Sequence, residues 1–347
     1  MDRRRFVKSA ALAGVALIAG CGQRGGSGRR LNVFNWPYYI GPTTISDFEK
    51  VSGVKVTYDN YSDNEELLAK LQTGQGSYDV IFPSDYMVQI MTKADLLAPL
   101  DLKAVPNFQN IAKRFRGLPF DPENRHSVPY QWGTVGIGLN SSRIREDVAS
   151  WEALWNPAYK GWINMLDDMR TTIGVALKKL GHSVNSTSKP ELEEARRLLV
   201  GQKPLVKTYS SDLYREHLIS GDIYLSCAYS GDVFQAAKQN SALRYVLPKE
   251  GTMIWVDNIA IPKAAPHKDT AHEFIDFLLK GDVSAAISNA ICYASPNEAS
   301  YPLTDPKVLH NPVIYPPPEV EARCEFVQDL GAFTRVYDAV WQDVKTA

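Results

Sequence analysis

Residues Tyr78–Leu97 read YDVIFPSDYMVQIMTKADLL. The first part, YDVIFPS, is a short apolar run that ends on proline and serine, as a buried strand does. MVQIMTKADLL follows at once with the pattern of a helix, so the chain passes from strand to helix through one tight turn. Asp85, directly before this helix, is expected to cap it. The same unit recurs on both sides. LNVFNW (31–36) reads as a strand and Thr43–Gly53 as a helix, with Ile45 and Phe48 on one side and Gly53 as C-cap. VKVTYDNY (54–61) alternates as a strand, and residues 64–74 read as a helix with Asn64 as N-cap. A second series follows YQWGTVGIGLN (130–140). GWINML, IYLSCAY and MIWVDNIAIP read as strands, and 171–181, 189–201, 231–240, 272–281 and 283–291 as helices. Phe326–Val344 reads as one long closing helix. Alternating strands and helices predict α/β architecture, with mostly parallel sheets covered by helices. At 347 residues the chain is long enough for two such lobes.

In these sheets ligands gather where the carboxyl ends of strands meet their loops. Trp36, Tyr38 and Tyr39 follow the first strand, and Ser84, Asp85 and Tyr86 the third. Asp167 and Asp168 follow GWINML, and Tyr229 and Asp232 follow IYLSCAY. Trp255 and Asp257 stand two apart within MIWVDNIAIP (Met253–Pro262), so both point to one face of that strand. Tyr293 lies in ICYASPN. Rings and acids recur, and Arg170 is the lone base among these turns. An alkylammonium ion joins a charge to methylenes. Carboxylates pair with the charge and ring faces cover the carbon chain. Taken singly, Trp36, Tyr39 and Tyr293 could be core rings, and Asp168 or Asp232 a helix cap. A carboxylate inside an apolar strand, as at Asp257, requires a partner that its neighbours in sequence do not offer.

The first residues belong to export. MDRRRFVKSAALAGVALIAGC carries four basic residues and then an apolar stretch, Ala10–Gly20, too short to span a bilayer. RRRFVK fits a twin-arginine signal with Asp2 in place of the usual Ser or Thr, and a general secretion signal is the alternative. IAGC ends on Cys21 as a lipobox does, so residues 1–21 read as a signal with lipidation at Cys21, and ordinary cleavage to a free protein as the bland alternative. Residues 22–30 form a flexible tether. Loss of the signal takes the net charge from −1 to −4. No basic block appears in the mature chain, which argues against a nucleic-acid partner, and mild acidity gives weak support for a cationic ligand. Cys227, Cys292 and Cys324 have no CxxC spacing, so no metal or redox motif is expected. Cys227 reads as a buried small residue, and a Cys292–Cys324 disulfide stays open.

On NWPYY, YDVIFPSDY, LWNPAYKGWI, SGDVFQA and IWVDNIAIP the chain resembles the polyamine-binding proteins of bacterial ABC transporters, which carry spermidine or putrescine. The resemblance spans nearly the whole mature chain. It implies the two-lobed type II periplasmic-binding-protein fold, each lobe a mostly parallel sheet flanked by helices, with the ligand cleft between them. The lobes would be 31–133 with 258–302, and 134–257 with 303–347. It further implies that Trp36, Tyr39, Ser84, Tyr86, Asp168, Tyr229, Asp232, Trp255, Asp257 and Tyr293 line the site. Spermidine-preferring members carry glutamate where this chain has Thr171 and glutamine where it has Val327. Asp232 resembles putrescine-preferring members, and Tyr229 stands where tryptophan is usual. A periplasmic, lipid-anchored monomer is expected, with a polyamine and the permease subunits as partners and without cofactor, metal or catalysis.

Two rivals share the fold. Ferric iron could sit on Tyr38 and Tyr39, but iron asks for anionic oxygens and an open aqueous position, whereas the neighbours here are tryptophan and proline. Cys292 could be a nucleophile, but no histidine stands in a motif relation to it, and GxSxG and HExxH are absent.

Overall fold

The computed structural model describes residues 28–74 and 77–347. The signal, its lipobox with Cys21 and most of the tether lie outside the described residues. In chain order the main elements are β1 (Arg30–Asn35), α1 (Thr44–Ser52), β2 (Lys55–Asn60), α2 (Asn64–Thr73), β3 (Val80–Ile81), α3 (Asp85–Lys93) and β4 (Ser127–Asn140). Then come β5 (Ile163–Met165), α4 (Met169–Lys179), α5 (Lys189–Gln202), β6 (Val206–Tyr209), α6 (Tyr214–Ser220), β7 (Leu225–Tyr229), α7 (Ser230–Ala237) and β8 (Leu243–Val246). β9 (Thr252–Ala260), α8 (Lys268–Leu278), α9 (Gly281–Ile291), β10 (Cys324–Phe326) and a closing helix, Thr334–Thr346, complete the chain.

The strands join in the order β2-β1-β3-β9-β4-β7-β5-β6, with β10 on β9 and β8 on β4. The strand–helix units make parallel pairs: β1 with β2 and β3, and β5 with β6 and β7. β4 and β9 cross between the two series and pair antiparallel to each other. β4 changes partners along its length. Up to Thr134 it lies against β9, and from Val135 onward against β7 and β8. Each series buries its own core. Leu31, Val33, Phe82, Val128 and Ile259 pack in one. Ile137, Ile163, Met165, Leu225 and Cys227 pack in the other, where Cys227 is the buried small residue expected. The opposite faces are covered as well, by Met87 and Met91 of α3 on one side and by Leu177, Leu199 and Tyr337 on the other. Among the described residues no helix is long and apolar enough to cross a membrane.

Several local expectations change. The closing helix starts at Thr334, not Phe326. Phe326 ends β10, which pairs with β9, and Gly331 adopts φ 54°, a left-handed turn that breaks any helix through it. Asp63, not Asn64, caps α2, its carboxylate accepting from Glu66 N at 2.7 Å. Ser84 holds the cap position of α3, while Asp85 is its first helical residue and does a different task. Asp85 Oδ1 accepts from Tyr86 N at 2.7 Å and Oδ2 from Val256 N at 3.3 Å, so one buried carboxyl ties α3 to β9. At the end of residues 22–30, Arg30 opens β1, and Arg29 pairs with Glu273 and donates to Ser52 O at 3.2 Å. Cys227, Cys292 and Cys324 are free thiols, so the pairing left open between the last two is not formed.

The crossing strands set the positions of site residues through the glycines between them. Gly133 of β4 stands opposite Trp255 of β9, and a Cβ at Gly133 would lie 2.6 Å from Trp255 Cζ2. The indole therefore needs glycine across the ladder. Replacing Gly133 by alanine should cost ~1–3 kcal/mol of stability through overpacking against a rigid ring. Urea unfolding of wild type and Gly133→Ala measures this directly, and an unchanged midpoint would show that the indole moves aside freely.

Candidate functional site

All ten residues expected at the site line one cavity between the two series of elements: Trp36, Tyr39, Ser84, Tyr86, Asp168, Tyr229, Asp232, Trp255, Asp257 and Tyr293. Most arrive by the local rule that the sequence suggested; Tyr293 instead follows the end of α9, not a strand. β1 ends at Asn35 and turns at once, delivering Trp36 and Tyr39. The indole of Trp36 is locked by its Nε1, which donates to Phe82 O at 2.8 Å. β9 alternates, so Trp255 and Asp257 both face the cavity while Ile254 and Val256 enter the core. β7 ends on Tyr229, and the first turn of α7 carries Asp232. Gly231 beside it must be glycine, since a Cβ there would sit 2.6 Å from the Tyr293 ring.

The rings form a box. Trp255 lies 5.2 Å from Tyr293, 6.2 Å from Tyr229 and 6.4 Å from Tyr39 by ring centroids, and Tyr39 lies 5.3 Å from Tyr293. Tilted and edge-on arrangements of this kind hold rings rigidly while exposing their faces.

Three aspartates stand among the rings. Asp257 is 6 % exposed. Ser84 Oγ donates to its Oδ1 at 2.7 Å, answering only part of what the buried carboxyl requires. The Tyr39 hydroxyl faces the same carboxyl electrostatically but completes no hydrogen bond of good geometry. Burial pushes the Asp257 carboxyl up to about 7, against the hydrogen bond from Ser84. Asp232 is half-buried and accepts from two phenols, Tyr214 Oη at 2.6 Å and Tyr293 Oη at 2.8 Å. Tyr293, which packing alone could have explained, thus also reaches a carboxylate. Asp168 caps α4, accepting from Thr171 N at 2.7 Å. It serves both as the cap and as a cavity wall. Burial raises Asp168 and Asp232 as well. Asp85, just behind Asp257, is pushed up to about 8 by burial, with the Asp257 charge adding to it. Such a set of acids favours the neutral form when the cavity lacks a cation and the ionised form when one enters.

Tyr86 Oη donates to Glu65 Oε1 of α2 at 3.3 Å. The cavity also has lining that the strand ends did not reveal. Arg170 points mostly away, with Nη1 to Gln328 O at 2.8 Å and Nη2 to Asn185 Oδ1 at 3.1 Å. Arg215 comes from inside α6, where the rule of strand carboxyl ends gives no signal. Thr171 and Val327 line the wall near Asp168, where spermidine-preferring proteins are implied to carry glutamate and glutamine. Among the described residues no group of three or more His, Cys, Asp or Glu side chains is placed to hold a metal. Cys292 is buried at the left-handed end of α9, and burial pushes its thiol up, away from the thiolate a nucleophile needs.

Residues 43–315 match the family model of the bacterial extracellular solute-binding proteins. The chain is 36 % identical over 317 residues to the spermidine/putrescine-binding periplasmic protein of Escherichia coli (strain K12), covering 91 % of each. It is 33 % identical to the putrescine-binding periplasmic protein SpuD of Pseudomonas aeruginosa, covering 99 % of each. Among solved structures, the spermidine/putrescine ABC transporter substrate-binding protein PotD of Streptococcus pneumoniae superposes with TM-score 0.78 at 32 % identity, covering 92 % of this chain and 99 % of that one. The TpPotD lipoprotein of Treponema pallidum superposes with TM-score 0.82 at 30 % identity, covering 92 % and 100 %. Fold, matched length and identity agree: the chain belongs to the bacterial extracellular solute-binding protein family.

Proposed function

We propose that this protein captures a polyamine, of the spermidine or putrescine class, and delivers it to the permease of an ABC transporter. One observation carries the reading. Asp168, Asp232 and Asp257 converge on a cavity whose other walls are Trp36, Tyr39, Tyr229, Trp255 and Tyr293. Three carboxylates without a matching free cation resist burial, and a ligand bearing ammonium groups supplies the missing charge. Rings at the same wall cover its methylenes. Trp255 and Asp257, two apart on β9, act as one unit that grips an amine by ring and carboxylate. No covalent step is needed for this task. The names of the relatives from Escherichia coli and Pseudomonas aeruginosa support the amine, and that of the Streptococcus pneumoniae protein supports the transporter.

Residues 31–133 with 258–302 form one lobe in this reading, and residues 134–257 with 303–347 the other. The change of partners along β4 between Thr134 and Val135 supports a hinge there. Amine held by one lobe draws contacts from the other and shifts the balance toward the closed form. The protein acts as a periplasmic monomer. The acylated Cys21 holds it at the membrane after export by a twin-arginine or general secretion signal. The lipoprotein of Treponema pallidum supports the anchor.

Calorimetric titration with putrescine, spermidine and spermine tests the site. Asp257→Asn and Asp168→Asn keep the size of the side chain, and at position 168 the ability to cap a helix, while removing the charge. Each should weaken the preferred amine by ~1.5–3 kcal/mol, the worth of a hydrogen bond to a charged group. Unchanged affinity in both variants would contradict the site.

Affinity should also follow pH with a defined sign. In the free protein the Asp257 carboxyl holds its proton up to about pH 7. An ammonium ion favours the carboxylate, so binding below that pH releases a proton. Affinity should then fall by about ten-fold per pH unit from pH 7 to pH 5 and level off above pH 8. Affinity that held constant down to pH 5 would show that Asp257 is already ionised in the free protein.

Cellular fractionation checks the anchor. Wild type should sediment with membranes and Cys21→Ser should not, because the acyl chains provide the attachment. A variant that still sediments would remove lipidation from the account.

A further inference from the structure

Arg215 and Arg170 are the two basic residues that line a cavity rich in acids and rings, and Arg170 is turned mostly away. The guanidinium carbon of Arg215 lies 3.6 Å from the centroid of the Tyr38 ring. Tyr38 belongs to the loop after β1 and Arg215 to α6, so this contact joins the two series of elements across the cavity they enclose. Tyr38 holds its place at some conformational expense: its φ is 56°, a left-handed backbone that residues with side chains avoid. The residue is 56 % exposed, and the Arg215 guanidinium covers one face of its ring. Arg215 itself is well held. Nη1 donates to Gln235 Oε1 at 3.2 Å and Nη2 to Glu216 Oε1 at 2.9 Å, and the side chain is only 11 % exposed. Gln235 stands one helical turn beyond Asp232, and the positive charge of Arg215 favours the ionised form of that aspartate.

The carboxylates of the cavity therefore differ. Asp232 already has two phenol donors and a guanidinium near it. Asp168 has Arg170 beside it in sequence and within electrostatic reach. Asp257 has the Ser84 hydroxyl as its hydrogen-bond partner and no arginine among the causes that act on it. A long amine running past Asp232 would meet the Arg215 guanidinium, held by Glu216 and seated on Tyr38, which takes up the space and offers a like charge.

We propose that Arg215, seated on Tyr38, limits the cargo to a diamine by closing the Asp232 end of the cavity to a third ammonium group. This rests on the polyamine reading above and narrows it. Discrimination arises from a repulsive element built against the longer competitor as well as from contacts to the preferred ligand. The Thr171 and Val327 wall near Asp168 fits the same limit, since neither side chain offers a carboxylate to a further ammonium.

The test is the ratio of putrescine to spermidine affinity, measured calorimetrically in wild type, R215Q and Y38L. Wild type should favour putrescine by about ten-fold or more, and R215Q should bring the two amines within about three-fold by removing the like charge. Y38L removes the ring on which the guanidinium rests and should narrow the ratio in the same direction. It also decides the matter should R215Q fail to fold, since Tyr38 is exposed. Spermidine bound as tightly as putrescine by wild type, or the wild-type ratio kept in the variants, would overturn this inference alone. Wild type that binds neither amine would overturn the polyamine reading and this inference with it.

Discussion

A carboxylate drawn out of water is expensive, and this protein gathers three around one cavity, Asp257 buried and Asp168 and Asp232 partly so. Everything distinctive about the site follows from how that expense is met. Part of it is met internally. Ser84 reaches Asp257, two phenols reach Asp232, and the first turn of α4 reaches Asp168. The remainder shows in the carboxyls themselves, which burial drives toward their neutral forms. A ligand that brings positive charge reverses that drive, so the free protein is poised to gain more from an ammonium ion than an exposed carboxylate could.

The scaffold makes this possible by dividing the work between strands and glycines. β9 is apolar on one side and carries the indole and carboxylate on the other, a consequence of the two-residue period of a strand. The long β4 runs beside it, shares its residues between both cores and leaves room at Gly133 for the indole. Gly231 does the same for the Tyr293 ring. Bulk at either glycine would move a ring of the box, so the shape of the site depends on small residues that do not themselves line the cavity.

Much of this was legible in the sequence because the governing rules are local. Strand–turn–helix units announce α/β architecture, and their carboxyl ends name the aromatic and acidic lining with no knowledge of pairing. Asp257 was conspicuous, an acid in an apolar strand with no neighbour to answer it. Long-range partners were hidden. Ser84 meets Asp257 across 173 positions of chain, and Arg215 reaches the cavity from within a helix rather than from a strand end. The closing helix was overread because Phe326 and its neighbours are apolar enough for helix or strand, and pairing with β9 decides for strand. The caps slipped by one residue at Asp63 and Ser84 because Asp, Asn and Ser are near-equal as caps, and only the geometry of the turn selects among them.

Charge compensation can be isolated from shape with a pair of ligands of the same length. 1,4-Diaminobutane and 1,4-butanediol span the same distance and offer the same methylenes to the rings, but only the first is cationic. Thermal melts of the protein with each compound compare them under one condition. We expect the diamine to raise the melting temperature and the diol to leave it unchanged at equal concentration. Equal stabilisation by both would contradict the account, because the cavity would then be reading length and apolar surface and not charge.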